Sequence, residues 1–158
     1  DGWMPIFWPK ERFQDGRALL AQGASQAGRG GTHIEVAPTI GMNLIEPGDD
    51  AEAIRRKARE PIAFYVTRMG IFYYQMLERN GYEAEVAQIR KAFADKDDTA
   101  MIDAVSENMM ESLTVTGTLE ECAEKLNERR ALGVDLPIID LPKGDPKHVE
   151  RVLSALLS

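Results

Sequence analysis

Apolar residues recur along this chain with two periods, and the changes between them mark its elements. From Pro9 to Arg29 the spacing is helical. Pro9 suits a first turn, Phe13, Ala18, Leu19 and Leu20 supply a partial apolar face, and Gly28 can close the helix, although Gly16 and Gly23 weaken the pattern. His33 to Ile40 then adopts a strand period, with Ile34, Val36, Pro38 and Ile40 two apart between Gly30-Gly31 and Gly41. Pro38 removes one ladder donor, so this strand must be irregular there or lie at an edge.

After Pro47-Gly48, Asp49 or Asp50 can cap a long helix with an acidic first turn. Pro61 lacks an amide hydrogen, which predicts a kink or restart near Glu60 before the helix runs on through Phe64, Tyr65 and Met69 to Gly70. Ile71 to Asn80, Tyr82 to Ala94 and Thr99 to Leu113 read as further helices, broken at Gly81 and at Asp95-Lys96-Asp97-Asp98. Thr118-Leu119-Glu120-Glu121 has the form of a capping box, in which Thr118 and Glu121 exchange side-chain to backbone hydrogen bonds. Leu119, Cys122, Ala123 and Leu126 share the face of the helix it starts, and Gly133 stops it. Val134 to Leu141 reads as a short parallel strand buried on both faces. Asp145 then caps a last helix with Pro146 in its first turn and Val149, Val152, Leu153 and Leu156 at helical spacing.

Strands alternating with helices predict βαβ units and a parallel sheet, hence an α/β fold rich in helix. Three short strands in 158 residues leave unpaired sheet edges, which predicts that partner strands lie outside this sequence. The opening Asp1-Gly2-Trp3-Met4-Pro5-Ile6-Phe7-Trp8 begins within an apolar run and without Met, and reads as a truncated start.

Composition narrows the function. With 44% hydrophobic and 28% charged residues the chain can bury a core, and a net charge of −7 without a Lys/Arg block argues against nucleic acid and anionic membrane as partners. No apolar run approaches the roughly 20 residues of a membrane span. The single Cys122 in a helical pattern suits a buried hydrophobe in a reducing cytoplasm. His33 and His148 have no ligand-spaced Cys or carboxylate companions, so no metal is expected. Gly28-Arg29-Gly30-Gly31 is a loop and not a phosphate cradle.

Three segments carry a resemblance. They are Asp1-Gly2-Trp3-Met4-Pro5, then Ala58 to Val66 with Met69-Gly70 and Phe72-Tyr73-Tyr74, and finally Thr116 to Cys122 with Gly133-Val134-Asp135. In this order and spacing the chain resembles luciferase-like monooxygenases and the related deazaflavin-dependent reductases, with Leu119 where Pro is usual. The resemblance implies the C-terminal portion of a (β/α)8 TIM barrel, about strands six to eight with their helices. Residues 71–113 would be a helical insertion, and the N-terminal half would lie elsewhere. It also implies an oxidoreductase in which coenzyme F-420, favoured by the Ala58 to Tyr74 stretch, or FMN lies at the barrel mouth for hydride transfer or monooxygenation.

Active sites of such barrels sit at the C-terminal ends of the strands. The candidate walls are therefore Trp3 to Trp8, Gly41 to Asn43 and Leu141 to Gly144. Trp3, Met4, Pro5 and Asn43 are the candidate cofactor contacts, and Phe7, Trp8, Met42, Tyr65 and Lys143 the candidate substrate contacts, with no catalytic residue assigned. Each has an ordinary reading beside it: packing for the aromatic residues, a turn for Met42 and Asn43, a solvated amine for Lys143. The expected partners are a small-molecule substrate and a second copy in a homodimer. The rival expectation is a stand-alone helical α/β binding or assembly domain without catalysis.

Overall fold

The strand-period segment organises the architecture. In the computed structural model, which describes residues 2–140 and 144–157, β1 (Gly2–Trp3) leads through a 3-10 turn into α1 (Phe13–Gln26). The segment after α1 is laid out as three consecutive pieces, β2 (Glu35–Val36), β3 (Thr39–Ile40) and β4 (Met42–Leu44). The break between β2 and β3 falls at Pro38, whose carbonyl still accepts from the Ile138 amide at 2.9 Å.

Five helices follow: α2 (Ala51–Arg68), α3 (Ile71–Arg79), α4 (Glu83–Ala94), α5 (Asp98–Asp103) and α6 (Glu107–Leu113). Then come β5 (Val115–Gly117), α7 (Leu119–Ala131), β6 (Ile138–Ile139) and α8 (Pro146–Leu157). Each piece of the segment takes its own parallel partner. β1 lies beside β2, β6 beside β3, and β5 beside β4 with Met42 opposite Val115 and Asn43 opposite Thr116. Parallel pairing requires crossovers: α1 supplies that of β1 and β2, and α2 to α6 that of β4 and β5.

Several expectations are corrected. Gly41 to Asn43 is not a turn, because Met42 and Asn43 belong to β4 and are held by pairing with β5. β5 itself goes unseen in the sequence, since three residues between a helix and a capping box carry almost no periodic signal. Ile138 is 36% exposed, so β6 is not buried on both faces. The helix read over Thr99 to Leu113 is two helices, because Ser106 accepts from the Met109 amide at 3.1 Å and starts α6 afresh.

α2 also continues through Pro61 without a restart. The carbonyl that loses its amide partner belongs to Lys57, which is exposed, so water can take up the acceptor. In α1, Leu19 faces solvent, and the buried positions are Phe13, Gly16 and Ala24. Gly16 is in the helix for its lack of a side chain: a Cβ there would sit 2.8 Å from two ring carbons of Trp3.

Three cores result. The largest joins α2 to α3, α4, α5 and α6 through Ile62, Leu77, Val86, Ile89, Met109 and Met110. A second packs β3 and β5 against α7 and α8 with Ile40, Val115, Cys122, Leu126 and Val152. A small third gathers Phe13, Val36 and Val134 with Trp3, Trp8 and Leu20. α7 begins at the expected capping box, with both reciprocal bonds formed, at 2.7 and 3.3 Å. Its Arg129 is buried and donates to the carbonyls of Glu111, Ser112 and Thr114, satisfying the otherwise orphaned end of α6. Asp145 caps α8 through the amides of Lys147 and His148. Among the described residues no helix is long and apolar enough to cross a membrane.

Candidate functional site

β1, β3 and β6 run parallel, and the residues that leave their C-terminal ends converge on one cavity. Ile6 and Phe7 follow β1, Gly41 and Met42 follow β3, and Asp140 follows β6. With Thr39, Asn43, Ala58, Pro61, Tyr65 and Thr114 they enclose about 310 Å³. A wider cleft between α4 and α5, about 550 Å³, is lined by Lys91, Asp95, Asp97 and Asp103 and offers no aromatic wall. Small-molecule sites are concave and mostly apolar with a few placed polar groups, so the first cavity is the better candidate.

Its aromatic wall is ordered. The Phe7 ring meets Tyr65 edge to face at 4.9 Å, and Tyr65 meets Tyr73 of α3 in the same manner at 4.8 Å. Each such pair contributes about 0.5–1.5 kcal/mol beyond simple burial. Phe7 carries a backbone φ of 53°, a left-handed conformation that costs a bulky residue roughly 1–3 kcal/mol. Such strain persists where the surroundings over-determine it, and here it turns the Phe7 ring toward α2 and the cavity.

The polar wall is built from the β4–β5 pair. Because Asn43 and Thr116 are register partners, the Asn43 Nδ2 donates to the Thr116 Oγ1 at 3.2 Å. Thr114, the extended residue between α6 and β5, lies two residues before Thr116, and its hydroxyl is 3.1 Å from that of Thr116. The Thr114 hydroxyl also donates to the Met110 carbonyl at 2.8 Å. Both threonines are buried, so this chain of hydroxyls is sealed from water.

Of the candidates read from the sequence, Phe7, Met42, Asn43 and Tyr65 come together at this cavity. Trp3 and Trp8 do not: they pack edge to face on each other at 5.0 Å, in the core beneath α1. Met4 is 65% exposed, and Pro5 is buried with its carbonyl accepting from the Thr39 amide at 3.0 Å, a strand role for that segment. Lys143 and Leu141 lie outside the described residues. Thr114 and Thr116 escaped the sequence reading; their Thr-Val-Thr alternation is the one signal that marks them.

Cys122 is remote from this chemistry. Burial pushes its thiol up to about 11, and its Sγ–H donates to the Gly117 carbonyl at 3.4 Å, so it is an inert core residue. No three His, Cys, Asp or Glu residues gather as a metal site among the described residues.

The sequence pattern of luciferase-like monooxygenases matches residues 1–136. The chain belongs to this family. A relative of this luciferase-like chain, the 5,10-methylenetetrahydromethanopterin reductase of Methanolobus tindarius, is 29% identical over 142 residues, covering 89% of the chain and 41% of the relative. The solved structure of the coenzyme F-420-dependent tetrahydromethanopterin reductase from Methanopyrus kandleri aligns with a TM-score of 0.65 at 22% identity. That alignment covers 92% of the luciferase-like chain and 41% of the solved one. The chain thus spans about two-fifths of the length of either relative, and it shares the fold of the second.

Proposed function

We propose that this chain forms one wall of the active site of a coenzyme F-420-dependent oxidoreductase, acting as the C-terminal portion of a (β/α)8 barrel with α3 to α6 as a helical insertion. The observation that carries the reading is the meeting of Phe7, Asn43 and Tyr65 around one cavity at the ends of parallel strands. At about 310 Å³ it lies at the lower bound of the roughly 300–1,000 Å³ typical of ligand pockets. Two aromatic rings and one amide suit a planar heterocycle, while a long phosphorylated tail would have to lie outside. The F-420 dependence of the Methanopyrus kandleri enzyme favours F-420 over FMN, and both relatives being reductases favours hydride transfer over monooxygenation.

A bound deazaflavin or flavin supplies the redox chemistry. The residues of this chain would orient and shield it: Phe7 and Tyr65 would exclude water from the ring, and Asn43 would offer it hydrogen bonds. The substrate is a small molecule admitted to the same mouth. A lone buried thiol suits a cytoplasmic setting. Exposed Met69, Ile71 and Phe72 around the α2–α3 turn, with Phe72 78% exposed, support a homodimer.

The test is titration of the intact protein with F-420 and with FMN, followed by ring-fluorescence quenching. Saturable quenching by F-420, weakened about tenfold or more by Asn43→Leu, is expected from the loss of hydrogen bonds in a desolvated site. Saturation by FMN alone would move the assignment to flavin chemistry. Indifference to both ligands would end the cofactor reading.

A further inference from the structure

We propose that Asn43 recognises the lactam edge of a bound ring, its Oδ1 accepting the ring N–H, and that Thr114 and Thr116 hold the amide in the orientation this requires. The proposal rests on the reading of the cavity as a ring site.

The direction of the hydroxyl chain follows from counting protons. The Met110 carbonyl can only accept, so the single hydroxyl proton of Thr114 is committed to it at 2.8 Å. The contact of 3.1 Å between Thr114 and Thr116 must then use the Thr116 proton. With that proton spent, Thr116 can only accept from Asn43, and the atom 3.2 Å away must be the amide nitrogen. Three bonds form: Asn43 to Thr116, Thr116 to Thr114, and Thr114 to Met110.

Turning the amide over would leave two bonds. Oδ1 would take the Thr116 proton, and the single Thr114 proton could then serve Thr116 or Met110 but not both, so one of those bonds would be lost. Thr116 is 0% and Thr114 2% exposed, so water cannot replace it. The carbonyl Oδ1 and the second Nδ2 hydrogen, neither with a partner among the described residues, are therefore what Asn43 offers on the cavity wall. An acceptor beside a donor complements a donor beside an acceptor, which is the –NH–CO– edge of a lactam or ureide ring.

The discriminating probes are 5-deazariboflavin and its derivative methylated at the ring lactam nitrogen, titrated into the intact protein. The N–H form is expected to bind about tenfold or more tightly than the N-methyl form. Thr116→Val, which keeps the shape and removes the hydroxyl, is expected to bring that ratio close to one; Thr116→Ser restores it. General loss of stability would weaken both probes together and leave the ratio alone. The side-chain amide ¹⁵N–¹H signals of Asn43, recorded without ligand, should report one held orientation that Thr116→Val releases.

A wild-type protein indifferent to methylation, or an unchanged ratio and unchanged amide signals in Thr116→Val, would overturn the proposal. Should Thr116→Val fail to fold, Asn43→Leu carries the same ratio test. If neither deazariboflavin form binds, lumazine and its N-methyl derivative replace them, read by the Asn43 amide shifts. Discrimination there upholds lactam recognition while the cofactor reading falls; its absence overturns both.

Discussion

Two neighbouring residues after β1 meet opposite fates, and the contrast separates packing from cavity lining in this molecule. Trp8 turns into the core beneath α1, where it meets Trp3 against the bare backbone of Gly16. Phe7, one position earlier, is held at a positive φ and turns to the cavity wall beside Tyr65. One aromatic cluster is filled to contact distance, with a glycine leaving the space its rings need. The other keeps an open space and tolerates backbone strain beside it. Both clusters are aromatic; what differs is whether the surrounding elements close over the rings.

Each side of that contrast can be broken separately. The largest effect is expected from Trp3→Ala, which empties the packed cluster above Gly16. Stability should fall by roughly 3 kcal/mol, the lower end for deleting a large aromatic residue because Trp3 is only half-buried. Urea unfolding reads the loss, and the Kd for a ring ligand per folded molecule should stay within about twofold. A change in affinity as large as the change in stability would mean that the two clusters are one site.

Phe7→Gly is expected to behave in the reverse sense. Glycine relieves a positive φ worth about 1 kcal/mol or more, which offsets part of the lost edge-to-face contact and apolar burial, so stability should fall by roughly 1–2 kcal/mol, less than for Trp3→Ala. Affinity for the ring should drop several-fold, measured by fluorescence quenching. Phe7→Ala, which keeps the strain and loses the ring, should be the less stable of the two.

The smallest effect belongs to Trp8→Phe. The Trp8 indole Nε1 is buried without an acceptor among the described residues, a donor whose desolvation is uncompensated. Removing it offsets the apolar area lost with the larger ring, and the net change should lie within about 1 kcal/mol. A loss of 3 kcal/mol would show that the N–H is satisfied and that this region is more than packing.

Parts of the fold were legible from local rules alone. The Thr118 capping box, the Cys122 and Leu126 face of α7 and the Asp145 cap of α8 each depend on neighbours within a few residues, and each formed as read. The break at Pro38 was equally local, since a missing N–H acts wherever the strand lies. Within the candidate site, Phe7, Met42, Asn43 and Tyr65 stand out in the sequence, while Thr114 and Thr116 do not. Three residues of strand cannot announce themselves by periodicity, and β5 exists only because β4 is there to pair with it.

Short-range chemistry written in the chain was enough to establish an α/β protein with parallel strands, the starts of α2, α7 and α8 and the aromatic stock near β1. It could not say which aromatic residues would pack and which would border a cavity, nor that Asn43 would meet a threonine 73 positions away. Those outcomes depend on the register of parallel strands joined by long crossovers, and register is set by the burial of whole faces rather than by any local pattern.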